Sequence, residues 1–264
     1  VRIALGLEYD GSGFFGWQSQ PCGNTVQDEI ERAIACIAGR PLRVHCAGRT
    51  DAGVHALAQV VHFDAPAERP LAAWVRGVNS HLPAAVAVRW AQPVADDFDA
   101  RRCAISRSYC YVLLAGPVRP GLDARRVGWY HRPLDVERMR AACAALAGEH
   151  DFSAFRSSEC QARSPVRTLH EIRLSEHGPY LLFVLRANAF LHHMVRNIVG
   201  ALVQVGRGAR PVQWTAELLA SHDRRLGAAT FSPAGLYLAR VEYAPQWKVP
   251  GGARLVLPVE LAPQ

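Results

Sequence analysis

Four residues with chemical capability fall within seven positions of the segment Ala47-Gly48-Arg49-Thr50-Asp51-Ala52-Gly53-Val54-His55-Ala56: Arg49, Thr50, Asp51 and His55. A carboxylate beside a cation is kept ionised, and an ionised carboxylate serves as a nucleophile or a base. Gly48 and Gly53 allow backbone conformations that other residues resist. Taken alone, the loop reads more simply as a turn aspartate bonding its own backbone, with Arg49 as a surface partner. A distant segment shifts that balance. The run Phe190-Leu191-His192-His193-Met194-Val195-Arg196-Asn197-Ile198-Val199-Gly200-Ala201-Leu202 is apolar nearly all round, which predicts a buried helix over about 190–205 with Arg196 in its middle. A buried guanidinium needs a carboxylate or phosphate close by. Asp51 is the most attractive partner in the irregular segments, so an Arg196–Asp51 pair is expected.

Metal chemistry finds little support. His192 and His193 are adjacent, so on a helix they point to different faces, and HxxxH spacing is absent there. His55, His62 and Asp64 could in principle gather a metal, but His62 and Asp64 lie on or just beyond a strand and face one side. The seven cysteines are odd in number and form no CxxC pair, which argues against zinc and against a secreted disulfide framework. Cys36 and Cys143 are expected on apolar helix faces, as small core residues.

The elements that must position these groups repeat. Ile3, Leu5, Leu7 and Tyr9 alternate as in a strand. Asn24-Thr25 should cap a helix whose apolar face carries Val26, Ile30, Ala33, Ile34 and Ile37, ending at Gly39. Strands are expected at 42–46, 57–63 and 85–92, with a helix marked by Leu71, Trp74, Val75 and Val78. In the second half, Tyr109, Tyr111 and Leu113 predict a strand, and Met139, Ala142, Cys143 and Leu146 a helix. Residues 166–175 and 179–186 predict two more strands. A short helix near Pro211 and a closing strand at 236–243 follow. Each half reads β-α-β-β-α-β, the ferredoxin-like (RRM-like) order. The expected fold class is therefore α+β, with halves 1–105 and 106–264. The two halves would share one extended, mainly antiparallel sheet, with helices on one side and an active-site cleft between them.

Of 264 residues, half are hydrophobic and a fifth charged, as in an ordinary globular protein. No run approaches the ~18 apolar residues that span a bilayer, and the alternating, charged start is unlike a leader; a cytoplasmic protein is expected. The net charge is +7, and Lys248 is the sole lysine, so the basic residues are almost all arginine. Arginine's planar fork suits phosphate, and a positive balance favours a nucleic-acid partner. Of six irregular segments (10–23, 46–56, 93–107, 116–133, 156–165 and 224–235), five carry arginine. The first instead holds Phe14, Phe15 and Trp17. Aromatics beside arginines are the material of an RNA surface, although Trp17 is the better candidate for the core.

At this point the residues resemble a known family, that of tRNA pseudouridine synthase A (TruA). EYDGSGFFGWQ resembles its first motif, and AGRTDAGVHA its catalytic motif almost letter for letter. GVNSHLP, DDFDAR, SRSYCY, GEHDFSAFR, HGPYLLF, ANAFLHHMVRNIVG and AGLYLARVEY follow in the family's order, covering about residues 2 to 245. The resemblance implies that Asp51 is the catalytic aspartate and that Arg196 pairs with it. It implies that Tyr109 stacks on the target uracil, that Leu236 lines the site and that Arg49 helps draw the uridine out of the RNA. The implied reaction isomerises uridine to pseudouridine at positions 38, 39 and 40 of the tRNA anticodon stem-loop. It needs no cofactor and no metal, and the enzyme acts as a homodimer. Two other classes use similar residues: a non-catalytic RNA-binding protein and a metal-dependent phosphodiesterase. The first has no need of a carboxylate amid phosphate-binding cations, where it repels the ligand.

Overall fold

The computed structural model describes residues 1–250. The described residues group into two compact units, one formed by Val1–Ser106 and residues 237–250, the other by Arg107–Leu236. Both are mixed α+β, and most strand pairs are antiparallel.

The first unit runs β1 (Arg2–Tyr9), α1 (Val26–Ala38), β2 (His45–Cys46), β3 (His55–Asp64), a helical segment with a π-turn at Ala73–Gly77, and β4 (Val86–Val94). The strands lie in the order β4-β1-β3 with β2 on β3, the ferredoxin-like arrangement expected from the sequence. β1 is buried on both faces rather than one, because the ring of Trp90 covers Gly6 so closely that a Cβ there would lie 2.0 Å from its Nε1. Helix α1 starts where Thr25 accepts a bond from the Asp28 amide, and stops at Gly39. Its inner face carries Ile30 and Ile34, both fully buried. Cys36 lies off that face and is exposed, contrary to the core position expected for it. At 100° per residue it sits well round the helix from Ile30 and Ile34. Trp74 packs edge-on against Phe63, with ring centroids 5.1 Å apart. β2 is shorter than the predicted 42–46. The Val44 amide bonds Glu31 of α1 at 3.0 Å instead of a strand partner.

The second unit runs β5 (Ala104–Ala115, mostly in this unit), β6 (Gly128–Tyr130), α2 (Val136–Cys143), β7 (Gly148–Asp151), β8 (Val166–His177), β9 (Tyr180–Ala187), α3 (Met194–Gly206) and α4 (Trp214–Ser221). Its strands lie β5-β9-β8-β7, with β6 parallel to β5. First, third and second major strands again lie side by side. Phe152, Phe155, Phe183, Met139 and Ile198 are fully buried. The last strand, β10 (Leu236–Tyr243), has the bounds expected from its sequence. It pairs in parallel with β3, Tyr237 opposite His55. No described helix is long and apolar enough to cross a membrane.

Candidate active site

The Asp51 loop runs from β2 to β3, and its backbone is gripped at several points. The Ala47 amide donates to Val60 O at 2.8 Å. Both backbone groups of Gly48 bond the side chain of Gln59. Thr50 O accepts from the Trp17 amide at 2.9 Å, and the Thr50 hydroxyl meets Tyr9 Oη at 2.8 Å. The Val54 amide closes the turn on Asp51 O at 3.1 Å. Thr50 is buried, Asp51 half-buried and Arg49 exposed. The loop thus holds a rigid inner side and offers its carboxylate at the edge of solvent.

The segment 10–17 clamps the loop from the other side. At Gly16, φ is +92°, and a Cβ would stand 2.8 Å from Thr50 O and 3.1 Å from Ala52 N. Only a residue without a side chain lets the two backbones pass this closely. His55, buried at the start of β3, accepts a bond at Nδ1 from the Gly11 amide at 3.1 Å. The same nitrogen lies 3.2 Å from Asp10 Oδ1. Its ring stacks on Tyr237, centroids 4.7 Å apart. His55 therefore ties the clamp, the loop and the start of β10 together. Of the three aromatics in this segment, Trp17 and Phe14 are core and Phe15 is exposed. The reading of Trp17 as core holds, and Phe15 remains available to a ligand.

The other expected residues lie in the second unit. Tyr109 is buried on β5, and Phe190 meets its ring edge-on at 5.0 Å. Arg196 is not in the middle of its helix. α3 begins at Met194, making Arg196 its third residue, half-buried. The reason is His193, whose φ of +64° is left-handed and cannot continue a helix backwards. For the same reason His192 and His193 do not point to opposite helix faces. Their rings lie together, centroids 3.9 Å apart.

One Arg196 partner is a backbone carbonyl, Phe231 O, reached from Nε at 2.8 Å. The Phe231 amide returns a bond to Arg196 O. The segment 231–236 then crosses to β5, where Tyr111 Oη donates to Ser232 O at 2.9 Å and the Val112 amide to Gly235 O at 2.9 Å. Gly235 must be glycine here, since a Cβ would sit 2.3 Å from Val112 O. Leu236, buried, follows directly. Arg196, the strand of Tyr109 and Leu236 are thus linked through one short segment of the second unit. Asn197, next to Arg196, holds Phe155 O, Arg224 and Thr230.

Burial pushes the thiols of Cys110 and Cys143 up to about 12 and that of Cys46 to about 11, so they stay protonated and are poor nucleophiles. Burial also lowers His62 to about 4, against a smaller opposing pull from Asp99. Its Nδ1 accepts from the Ala100 amide at 3.1 Å, which requires the neutral ring. His62 is a core residue beside Phe98, while Asp64 turns outward to a two-pronged ion pair with Arg2. Gln59, Tyr9 and Phe190 were not singled out by sequence. The one signal for Gln59 was a polar residue inside the apolar run LAQVVHF.

Comparison with known proteins assigns the chain. The sequence model of the tRNA pseudouridine synthase family matches residues 7–101 and 142–244. Curated proteins named tRNA pseudouridine synthase A resemble it over nearly its whole length. That of Aromatoleum aromaticum is 59% identical over 97% of each chain, and that of Bordetella petrii 58% identical over 99% of each. The first match contains Arg49 and Asp51 and the second contains Arg196 and Leu236, while Tyr109 falls between them. The chain belongs to the tRNA pseudouridine synthase family.

Proposed function

We propose that this protein isomerises uridine to pseudouridine in tRNA, at positions 38, 39 and 40 of the anticodon stem-loop, with Asp51 as its catalytic carboxylate. The observation that carries the reading is a half-buried aspartate in a loop whose backbone is held on both sides by buried groups, in a chain of this family. Preorganised functional groups of this kind supply rate by avoiding reorganisation during the reaction.

The reaction breaks the bond from ribose C1′ to uracil N1, turns the base and joins C1′ to C5. The C5 proton leaves and N1 gains one, so atoms and electrons balance without a redox partner. Asp51 serves as nucleophile or base, and Arg196 supplies positive charge that supports the reaction. Tyr109 stacks on the uracil, and Leu236 gives the base an apolar neighbour. Arg49, exposed on the same loop, meets a phosphate as the uridine leaves its stack. Flipping costs a few kcal/mol, offset by such phosphate contacts and by stacking. The acting form is a cytoplasmic homodimer.

The test uses tRNA labelled with tritium at uridine C5. The expected result is release of label that EDTA does not reduce, with pseudouridine at positions 38 to 40. Binding of tRNA with no release would replace this reading by a non-catalytic RNA-binding one, and EDTA-sensitive strand cleavage by a phosphodiesterase one.

A further inference from the structure

Gln59 lies on β3, followed by buried valines at 60 and 61, and is itself fully buried. A polar side chain there is costly unless every polar atom is satisfied. All four hydrogen-bonding positions of its amide are used. Nε2 donates to Gly48 O at 2.6 Å and to Tyr9 Oη at 3.4 Å. Oε1 accepts from the Gly48 amide at 3.4 Å and from the Val60 amide at 3.2 Å. Tyr9, buried on β1, carries the connection on to the Thr50 hydroxyl. The amide therefore grips the Asp51 loop twice, at Gly48 directly and at Thr50 through Tyr9. Those residues flank Arg49 and lead into Asp51.

We infer that Gln59 is a positioning residue for Asp51, acting through Gly48 and through Tyr9 and Thr50. An apolar residue would fill the same strand position without the cost of a buried amide. What it could not supply is a partner for both backbone groups of Gly48. With those groups unpaired, the four residues from Gly48 to Asp51 lose their direct bonds to β3. A shift of about 1 Å in a reacting group costs about 100-fold in rate. This inference rests on the proposed role of Asp51 and adds a residue that holds it in place.

The test compares single-turnover tritium release, tRNA Kd and Tm for Gln59→Met, Tyr9→Phe and their combination. Met keeps length and removes the amide, while Phe removes only the linking hydroxyl. The expected outcome for Gln59→Met is a rate about 10- to 100-fold lower with Kd within about twofold of wild type. Tyr9→Phe should fall in the same direction by less. The double variant should be no slower than Gln59→Met alone, because both act through one network. Val61→Ala, a cavity variant on the same strand, serves as the stability control and should lower Tm while keeping its rate. Gln59→Met and Tyr9→Phe both within about twofold of wild type would overturn the inference, as would a loss in Val61→Ala equal to theirs. If Gln59→Met does not fold, Tyr9→Phe alone decides by the same criterion. Asp51→Asn in the same assay separates the two readings. Full activity there defeats the role of Asp51 itself, whereas an inactive Asp51→Asn beside fully active Gln59 and Tyr9 variants defeats the inference alone.

Discussion

At the scale of the residue, reactivity depends on what surrounds each group rather than on its type. Asp51 sits where the loop meets solvent, and its neighbour Thr50 is turned into the core toward Tyr9. Arg196 is fixed at Nε by Phe231 O, so its charge is held in place by backbone. Arg196→Met removes that bond and the charge together. It is expected to lower both the turnover rate and Tm, read by tritium release and by thermal unfolding. Wild-type turnover in that variant would remove Arg196 from the site. His62 gives a second, independent prediction. Its pKa falls from 6.5 in the unfolded chain to about 4 when folded. The unfolded state therefore takes up the proton first as pH falls. The stability this neutral ring contributes is whole above pH 6.5 and is lost progressively as pH falls toward 4. His62→Gln should flatten that part of the Tm-against-pH curve, and an unchanged curve would show that His62 does not cause the slope. The local pattern around Asp51, a carboxylate, a cation and two glycines within a few positions, reads alone as an ordinary turn, and it was the arginine of a distant apolar run and the family resemblance that singled Asp51 out. The sequence hid Gln59, whose role exists only once β3 lies beside the loop.

At the scale of the element, local signals transferred well and tertiary ones did not. The cap at Thr25, the stop at Gly39 and the bounds of β10 were readable because each depends on residues a few positions apart. The start of α3 was misread. An apolar run predicts burial but not helix, and the left-handed His193 makes the helix start four residues later than its composition suggests. β2 was overlong in prediction because Glu31 takes the amide of Val44, a contact that no period encodes. The clamp formed by residues 10–17 gives the sharpest element-scale prediction. Gly16→Ala adds a Cβ 2.8 Å from Thr50 O at a left-handed φ, so the loop must shift. Turnover should fall by about 10-fold or more while tRNA binding changes little. Thr25→Ala removes the cap of α1, whose first amides bond Gly16 O and Trp17 O of the clamp. It should cost about 1 kcal/mol of stability, read as a lower Tm.

At the scale of the whole molecule, two units of similar strand order carry different halves of the expected machinery. Asp51 and Arg49 belong to the first, and Tyr109, Arg196 and Leu236 to the second. Repetition of the β-α-β-β-α-β order was legible because each half shows the same sequence of periods. The return of the chain to the first unit at Tyr237 was not, since pairing partners of a strand are not written in its own residues. A net charge of +7, nearly all arginine, predicts that tRNA affinity falls steeply with salt. A log–log plot of Kd against salt should be linear, and a flat one would contradict phosphate-based binding. The central claim remains that Asp51 performs the chemistry while other residues bind the RNA. Its most direct test is single-turnover tritium release by Asp51→Asn, with tRNA Kd measured on the same preparation. The account predicts no detectable release and a Kd close to wild type; release near the wild-type rate would contradict it.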